Sequence, residues 1–269
     1  MQVFWEQVLN FSETITSEVG ATLLEAFGKA QAQEKRDGSL VTEFDQWSDE
    51  RLRNAIQATF PDHGVLSEET LHIFPDTDWC WIIDPIDGTT NFTRGIPLWA
   101  ISLGLLYRGI PVYGYVYVPT LHHRFYGYWA GSSGLDMPQG AFLNGQPIHT
   151  RPNDPGKNQF FSVCARSTQV LHQPFPCKVR MLGVASYNLL MVGAGYAVGA
   201  VEATPKVWDI AGIWPILKAA GATWVALDES PPFPLTVGNN YRDRPFPTLV
   251  MNRADLVTQF RPLVSVILD

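Results

Sequence analysis

A chain of 269 residues that is 46% hydrophobic and 17% charged is excluded from the disordered class and is long enough for one large domain or two modest ones. A net charge of −7 and a pI near 5.3 exclude nucleic acid and anionic membranes as partners, because phosphate backbones are held by clustered Lys and Arg.

In chain order, Val3, Phe4, Val8, Phe11, Ile15, Val19, Leu23, Leu24 and Phe27 recur at threes and fours, which predicts a long amphipathic helix over about 3–32. Gly38 ends that pattern after a charged run. A second helix is predicted over about 44–60, with Trp47, Leu52, Ile56 and Phe60 inward and Asp45 in its first turn, where an acid also serves the helix dipole. Gly64 to Thr70 reads as a short strand closing on Glu68 and Glu69. Adjacent strand side chains point oppositely, so one of the two acids is expected inward and the other wet.

Trp81-Ile82-Ile83-Asp84-Pro85-Ile86-Asp87-Gly88-Thr89-Thr90-Asn91-Phe92 is the most informative stretch. It is an apolar run that stops on polar residues, the pattern of a buried strand with a ligand site at its C-terminal end. Asp84 and Asp87 repel each other unless a cation lies between them, and an oxygen-only donor set points to a hard divalent ion, magnesium foremost. Gly88-Thr89-Thr90 offers permissive backbone and hydroxyls suited to a phosphate. A solvated Asp-Gly turn is the alternative that this stretch alone leaves open.

Strands are predicted at 98–106, 112–118 and 124–129, with His122-His123 in a loop between the last two, and Asn144-Gly145 marks a hairpin. The Pro/Asn/Asp/Gly-rich segment 151–159 suggests a boundary between subdomains of about 1–150 and 151–269 within one compact domain. Beyond it come a strand at 160–165, a small-residue helix after Gly183-Val184-Ala185-Ser186, and a strand at 198–203 ending near Glu202. An apolar helix over 206–221 follows, opening at Asp209, which is either its N-cap or something more. Strands at 223–227 and 248–251 and a terminal helix from about Asp255 finish an α/β second half. Cys80, Cys164 and Cys177 are too few and too irregular for a disulfide framework or a zinc site and are read as core thiols. With no basic leader and no apolar run of about eighteen residues, a soluble cytoplasmic protein is expected.

Asp-Pro-Ile-Asp-Gly-Thr-Thr-Asn-Phe at 84–92, the upstream Glu-Glu at 68–69 and Trp-Asp-Ile-Ala-Gly at 208–212 together resemble the inositol monophosphatase family of magnesium-dependent, lithium-sensitive phosphomonoesterases. Weaker similarity runs through Leu40-Val41-Thr42 with Asp45 and through Gly183-Val184-Ala185. The resemblance implies an α/β (α+β) fold, a layered α/β/α/β/α sandwich of the sugar-phosphatase type, with a mixed, largely antiparallel sheet in the first half and an α/β second half. It implies two to three Mg2+ ions per site: Glu68, Asp84 and the Ile86 carbonyl for the first, Asp84, Asp87 and Asp209 for the second, and Glu68 with waters near Asp45 for a third. It further implies that Thr89 and Asp45 orient and deprotonate water, with Glu68 beside them. Asp87, Gly88, Thr89, Gly183, Ala185 and Glu202 would contact the substrate, a small phosphorylated polyol such as inositol monophosphate, hydrolysed by in-line attack of metal-activated water. Histidinol phosphate, fructose 1,6-bisphosphate and 3′-phosphoadenosine 5′-phosphate are the alternatives, an inactive scaffold the remaining one, and a homodimer the expected assembly. Val184-Ala185-Ser186 and Thr204-Pro205-Lys206 depart from the commoner pattern, and both border the expected alcohol pocket.

Overall fold

The computed structural model describes residues 2–35, 38, 40–228 and 230–264. Helix α1 spans Gln2–Ala26, the ribbon β1 (Gln33–Glu34) and β2 (Leu40–Val41) follows, and α2 spans Glu43–Thr59. Then come β3 (Gly64–Ser67), β4 (Trp79–Asp87), α3 (Thr89–Arg94), β5 (Ala100–Tyr107), β6 (Ile110–Val118), β7 (His123–Tyr128), β8 (Gly140–Leu143) and β9 (Gln146–Pro147). The second half contributes β10 (Phe160–Val163), β11 (Lys178–Met181), α4 (Ala185–Gly193), β12 (Gly199–Glu202), α5 (Val207–Ala211), α6 (Trp214–Ala219), β13 (Thr223–Ala226), β14 (Thr248–Met251) and α7 (Val257–Phe260).

Strands β3 to β9 form one sheet in sequence order, parallel only between β3 and β4. A second sheet runs β11-β10-β12-β14-β13, with β11, β10 and β12 parallel and β14 reversed. Period-two alternation sorts the first sheet into two cores. Trp81, Ile83, Ile101, Leu103 and Leu105 pack with Trp5, Val8, Ile15, Leu52 and Ile56 of α1 and α2. Cys80, Ile82, Val116 and Val118 face the other way, against Leu189, Leu190, Ile210, Ile213 and Ile216 of the α4–α6 layer. The far side of the second sheet is closed by Phe161, Val201 and Leu249 against Leu256 and Phe260. The result is the expected α/β/α/β/α layering, with no closed barrel among the described residues.

Several local expectations give way to packing. α1 ends at Ala26 rather than near residue 32, because Gly28 turns left-handed at φ 71 and its N–H goes to the Phe92 carbonyl at 3.0 Å. Val3, Leu24 and Trp47, all expected inward, fall outside the buried faces of their helices and are 77%, 37% and 36% exposed. The predicted helix over 206–221 is two helices. Gly212 and Ile213 separate them where the chain presses on β5 and β6: a Cβ on Gly114 would lie 1.6 Å from the Gly212 carbonyl oxygen, and Pro215 brings no N–H of its own. His123 opens β7 instead of lying in a loop, its Nδ1 3.1 Å from the Tyr187 hydroxyl. Asn144 and Gly145 both take positive φ, as a tight Asn-Gly hairpin requires. The terminal helix reduces to α7 between two 3-10 turns, and its predicted continuation over 265–269 lies outside the described residues. Among the described residues no helix is long and apolar enough to cross a membrane.

Candidate active site

The end of β4 gathers carboxylates because its pairing slips there. Asp84 is opposite Ser102 and Asp87 opposite Ala100, so three steps along β4 match two along β5. Residues three apart on a regular strand point to opposite faces; the one extra residue of this bulge returns both acids to the same side. α5 supplies the third acid, and single carboxylate oxygens of Asp84, Asp87 and Asp209 lie within 4.8 Å of one another.

Asp209 is not the N-cap of α5 but its third residue, where Oδ2 accepts the Lys206 N–H at 2.6 Å. Asp45 has the same arrangement in α2. Its Oδ2 accepts the Thr42 N–H at 2.7 Å and the Thr42 hydroxyl at 2.6 Å, closing a capping box. Its Oδ1 accepts the Thr89 hydroxyl at 3.0 Å, a bond the hydroxyl shares with the Ile86 carbonyl at the same distance. The helix-end role and the contact with Thr89 are thus divided between the two oxygens of Asp45.

A cleft of about 620 Å³ is lined by Glu68, Asp84, Ile86, Asp87, Gly88, Thr89, Gly183, Ala185, Glu202 and Asp209. Asp45 is buried behind Thr89. Gly88 adopts φ 92 as the chain turns into α3. Gly183 adopts φ 77 against the Asn91 amide, whose Nδ2 donates to the Leu98 and Leu182 carbonyls. Glu202, which lines the same cleft and acts through its charge on Asp209, is buried at the end of β12, and its Oε1 accepts the Asn188 amide at 2.9 Å. Cys164, expected in the core, lines the cleft beside Glu202.

Glu68 and Glu69 depart from the in-and-out expectation. Both are largely covered, and Lys35 bridges them, its Nζ 2.9 Å from Glu68 and 2.7 Å from Glu69. Although burial works against its charge, the two glutamates hold Lys35 above its ordinary range. Sequence reasoning missed Lys35 because a lysine in a charged run looks like solvated surface. It also missed Asn188, a single buried amide with no motif around it.

Burial, compounded by Glu68, Asp87 and Asp209, holds Asp84 well above the usual carboxylate range, and burial with Asp87 does the same to Asp209. Asp84 Oδ1 is buried with no partner among the described residues. Mutually repelling buried carboxylates, an orphaned oxygen and an all-oxygen donor set fit a hard divalent cation. Burial also lifts Glu68 to about 7 despite Lys35 and Glu202 to about 8.

These raised values set the pH dependence. The metal-free native state keeps protons that the unfolded chain releases above about pH 4. The stabilisation is complete below the unfolded values and is lost as pH rises through the raised ones. The melting temperature of metal-stripped protein is therefore expected to fall from about pH 5 to pH 8, and divalent cations, which bind the ionised carboxylates, to reverse that slope. Thermal melts in chelator and in magnesium test this; a flat profile in chelator refutes it.

The profile of the inositol monophosphatase family matches residues 5–245. The chain is 34% identical over 224 residues to a fructose-1,6-bisphosphatase/inositol-1-monophosphatase of Aquifex aeolicus, covering 78% of this chain and 82% of that one. It is 29% identical over 225 residues to a histidinol-phosphatase of Chlorobaculum parvum, covering 79% and 83%. Among solved structures, a Thermotoga maritima IMPase superposes with a TM-score of 0.77 at 28% identity, covering 94% of each chain.

Proposed function

Because the chain belongs to the inositol monophosphatase family, and is therefore a metal-dependent phosphomonoesterase, we propose that it hydrolyses inositol monophosphate or a similar small polyol phosphate with magnesium, two to three ions per site. The observation that carries the polyol is Glu202. A buried acid lining the cleft, fixed on one oxygen by the Asn188 amide, is an acceptor for the hydroxyls of an alcohol.

In this reading Asp84, Asp87 and Asp209, with Glu68 and the Ile86 carbonyl, hold the cations. When bound, these neutralise the ester oxygens, stabilise the leaving alkoxide and make a water nucleophilic. The chain's own residues do the rest. Thr89 donates its hydroxyl to Asp45 Oδ1, which leaves its oxygen lone pairs to orient the attacking water, while Asp45 takes up the proton passed through Thr89. Gly88 and Thr89 receive the phosphate, and Gly183, Ala185 and Glu202 hold the alcohol. No side chain in the cleft is an activated nucleophile, so a covalent phosphoenzyme is not expected. A cytoplasmic homodimer completes the proposal; the free cysteines are consistent with a reducing compartment.

A second reading, a bisphosphate substrate, is favoured by Arg166 and Lys206, which line the same cleft and could meet a second phosphate. Phosphate release across a panel of small phosphate esters, with magnesium and with chelator, separates the two. Inositol monophosphate is expected among the best substrates, and a strong preference for fructose 1,6-bisphosphate would overturn the polyol assignment.

A further inference from the structure

We infer that Ser186 is a positioning residue of the metal centre and not part of the alcohol pocket: its hydroxyl and its backbone N–H together occupy Oδ2 of Asp87 and leave Oδ1 as the oxygen with capacity for a cation. The inference rests on the reading of Asp87 as a metal ligand.

The sequence makes Val184-Ala185-Ser186 a feature of the pocket for the alcohol, and Ala185 does line the cleft. Ser186 turns the other way. It is fully buried in the first turn of α4, and its hydroxyl donates to Asp87 Oδ2 at 2.5 Å. Its backbone N–H reaches the same oxygen at 2.7 Å, whereas among the described residues Asp87 Oδ1 accepts only the Ala185 N–H, at 3.1 Å. A carboxylate oxygen has about two good acceptor positions. Oδ2 is therefore saturated by one residue, and Oδ1 keeps a lone pair.

One consequence follows for a cation at Asp87. Rotation of the carboxylate about its last bond would break two short bonds at once, so the ligand is held in one orientation and offers one oxygen. Of the three donors only the Ser186 hydroxyl belongs to a side chain, so it alone can be deleted without moving the backbone. Partners of this kind around ligating side chains typically change metal affinity or activity by about 10–100-fold when removed.

The test is a calorimetric titration of magnesium chloride into metal-stripped, full-length wild type and Ser186→Ala, with KM for inositol monophosphate measured separately at saturating magnesium. The variant is expected to need about tenfold more magnesium for half-saturation, with KM unchanged within about twofold. Ser186→Cys fills the same space with a weaker donor and is expected to shift in the same direction; it provides the readout if the void left by alanine impairs folding. A wild-type midpoint in the folded variants overturns the inference, as does a raised KM with unchanged metal binding, which would put Ser186 in the alcohol pocket. If the wild type itself takes up no magnesium, the reading of Asp87 as a ligand fails and the inference with it; a normal wild type matched by the variants defeats the inference alone.

Discussion

Asp84→Asn is expected to lower kcat by about 10³-fold or more at saturating magnesium while raising the melting temperature of the metal-free protein. The two effects have one cause. Asp84 is buried among Glu68, Asp87 and Asp209, which with desolvation make its ionisation costly. Asparagine keeps the shape and removes the charge, so repulsion in the empty site is relieved. If Asp84 holds a cation as proposed, losing its charge removes several kcal/mol of charge stabilisation in the transition state, and about 1.4 kcal/mol corresponds to each tenfold in rate. Asp209→Asn is expected to behave alike, since an amide oxygen can still accept the Lys206 N–H that closes the first turn of α5. Steady-state kinetics and melts in chelator at pH 8 check both halves. Turnover close to wild type in either variant would remove the acid cluster from the reaction.

The stability half of that prediction separates a functional acid cluster from a structural one. A structural carboxylate satisfied by its partners destabilises the fold when neutralised. Asp84 has a buried oxygen with no partner among the described residues and three other acids around it, so the fold bears a cost at this position that a bound cation would offset.

How much of this was legible in the sequence depended on whether a residue's role is local. The run into Asp84 announced a buried strand and a polar end, and the fold's layers followed from periods of two and three to four. What made Asp84 and Asp87 converge was the bulge against Ser102 and Ala100, which is set by the partner strand and has no local signature. Asp45 and Asp209 each looked like helix-end acids, and each is one. Each reaches the site only because a distant element, Thr89 in one case and the end of β4 in the other, is brought beside it. Lys35 was hidden by its charged neighbours, and its pairing with Glu68 and Glu69 joins segments that only the fold brings together. Ser186 was visible as an unusual residue, but the side it faces is decided by the entry angle of α4. The split of 206–221 into α5 and α6 came from the approach of Gly212 to Gly114, which the helical period does not register.

The second large effect is expected at Asp45. Asp45→Asn should lose about 10²–10³-fold in kcat, in the range of a displaced general base, with only about 1 kcal/mol of stability, the scale of a helix cap. The disproportion follows from the division between the two oxygens. The amide oxygen of asparagine can replace Oδ2 in accepting the Thr42 N–H, so the end of α2 is largely preserved. The amide nitrogen then faces the Thr89 hydroxyl as a donor, where Oδ1 had accepted at 3.0 Å, and the path for the proton is cut. Thr89→Val, which keeps the side-chain shape and deletes the hydroxyl, should cost a similar factor without touching the cap. If the two residues act as one unit, the double variant should be about as slow as either single one, since the second substitution removes nothing the first had left. Losses that multiply would show that Asp45 and Thr89 act separately. A drop in kcat much larger than any shift in the magnesium midpoint is the further requirement, because Asp45 bonds to Thr42 and Thr89 and acts on Glu68 only through its charge.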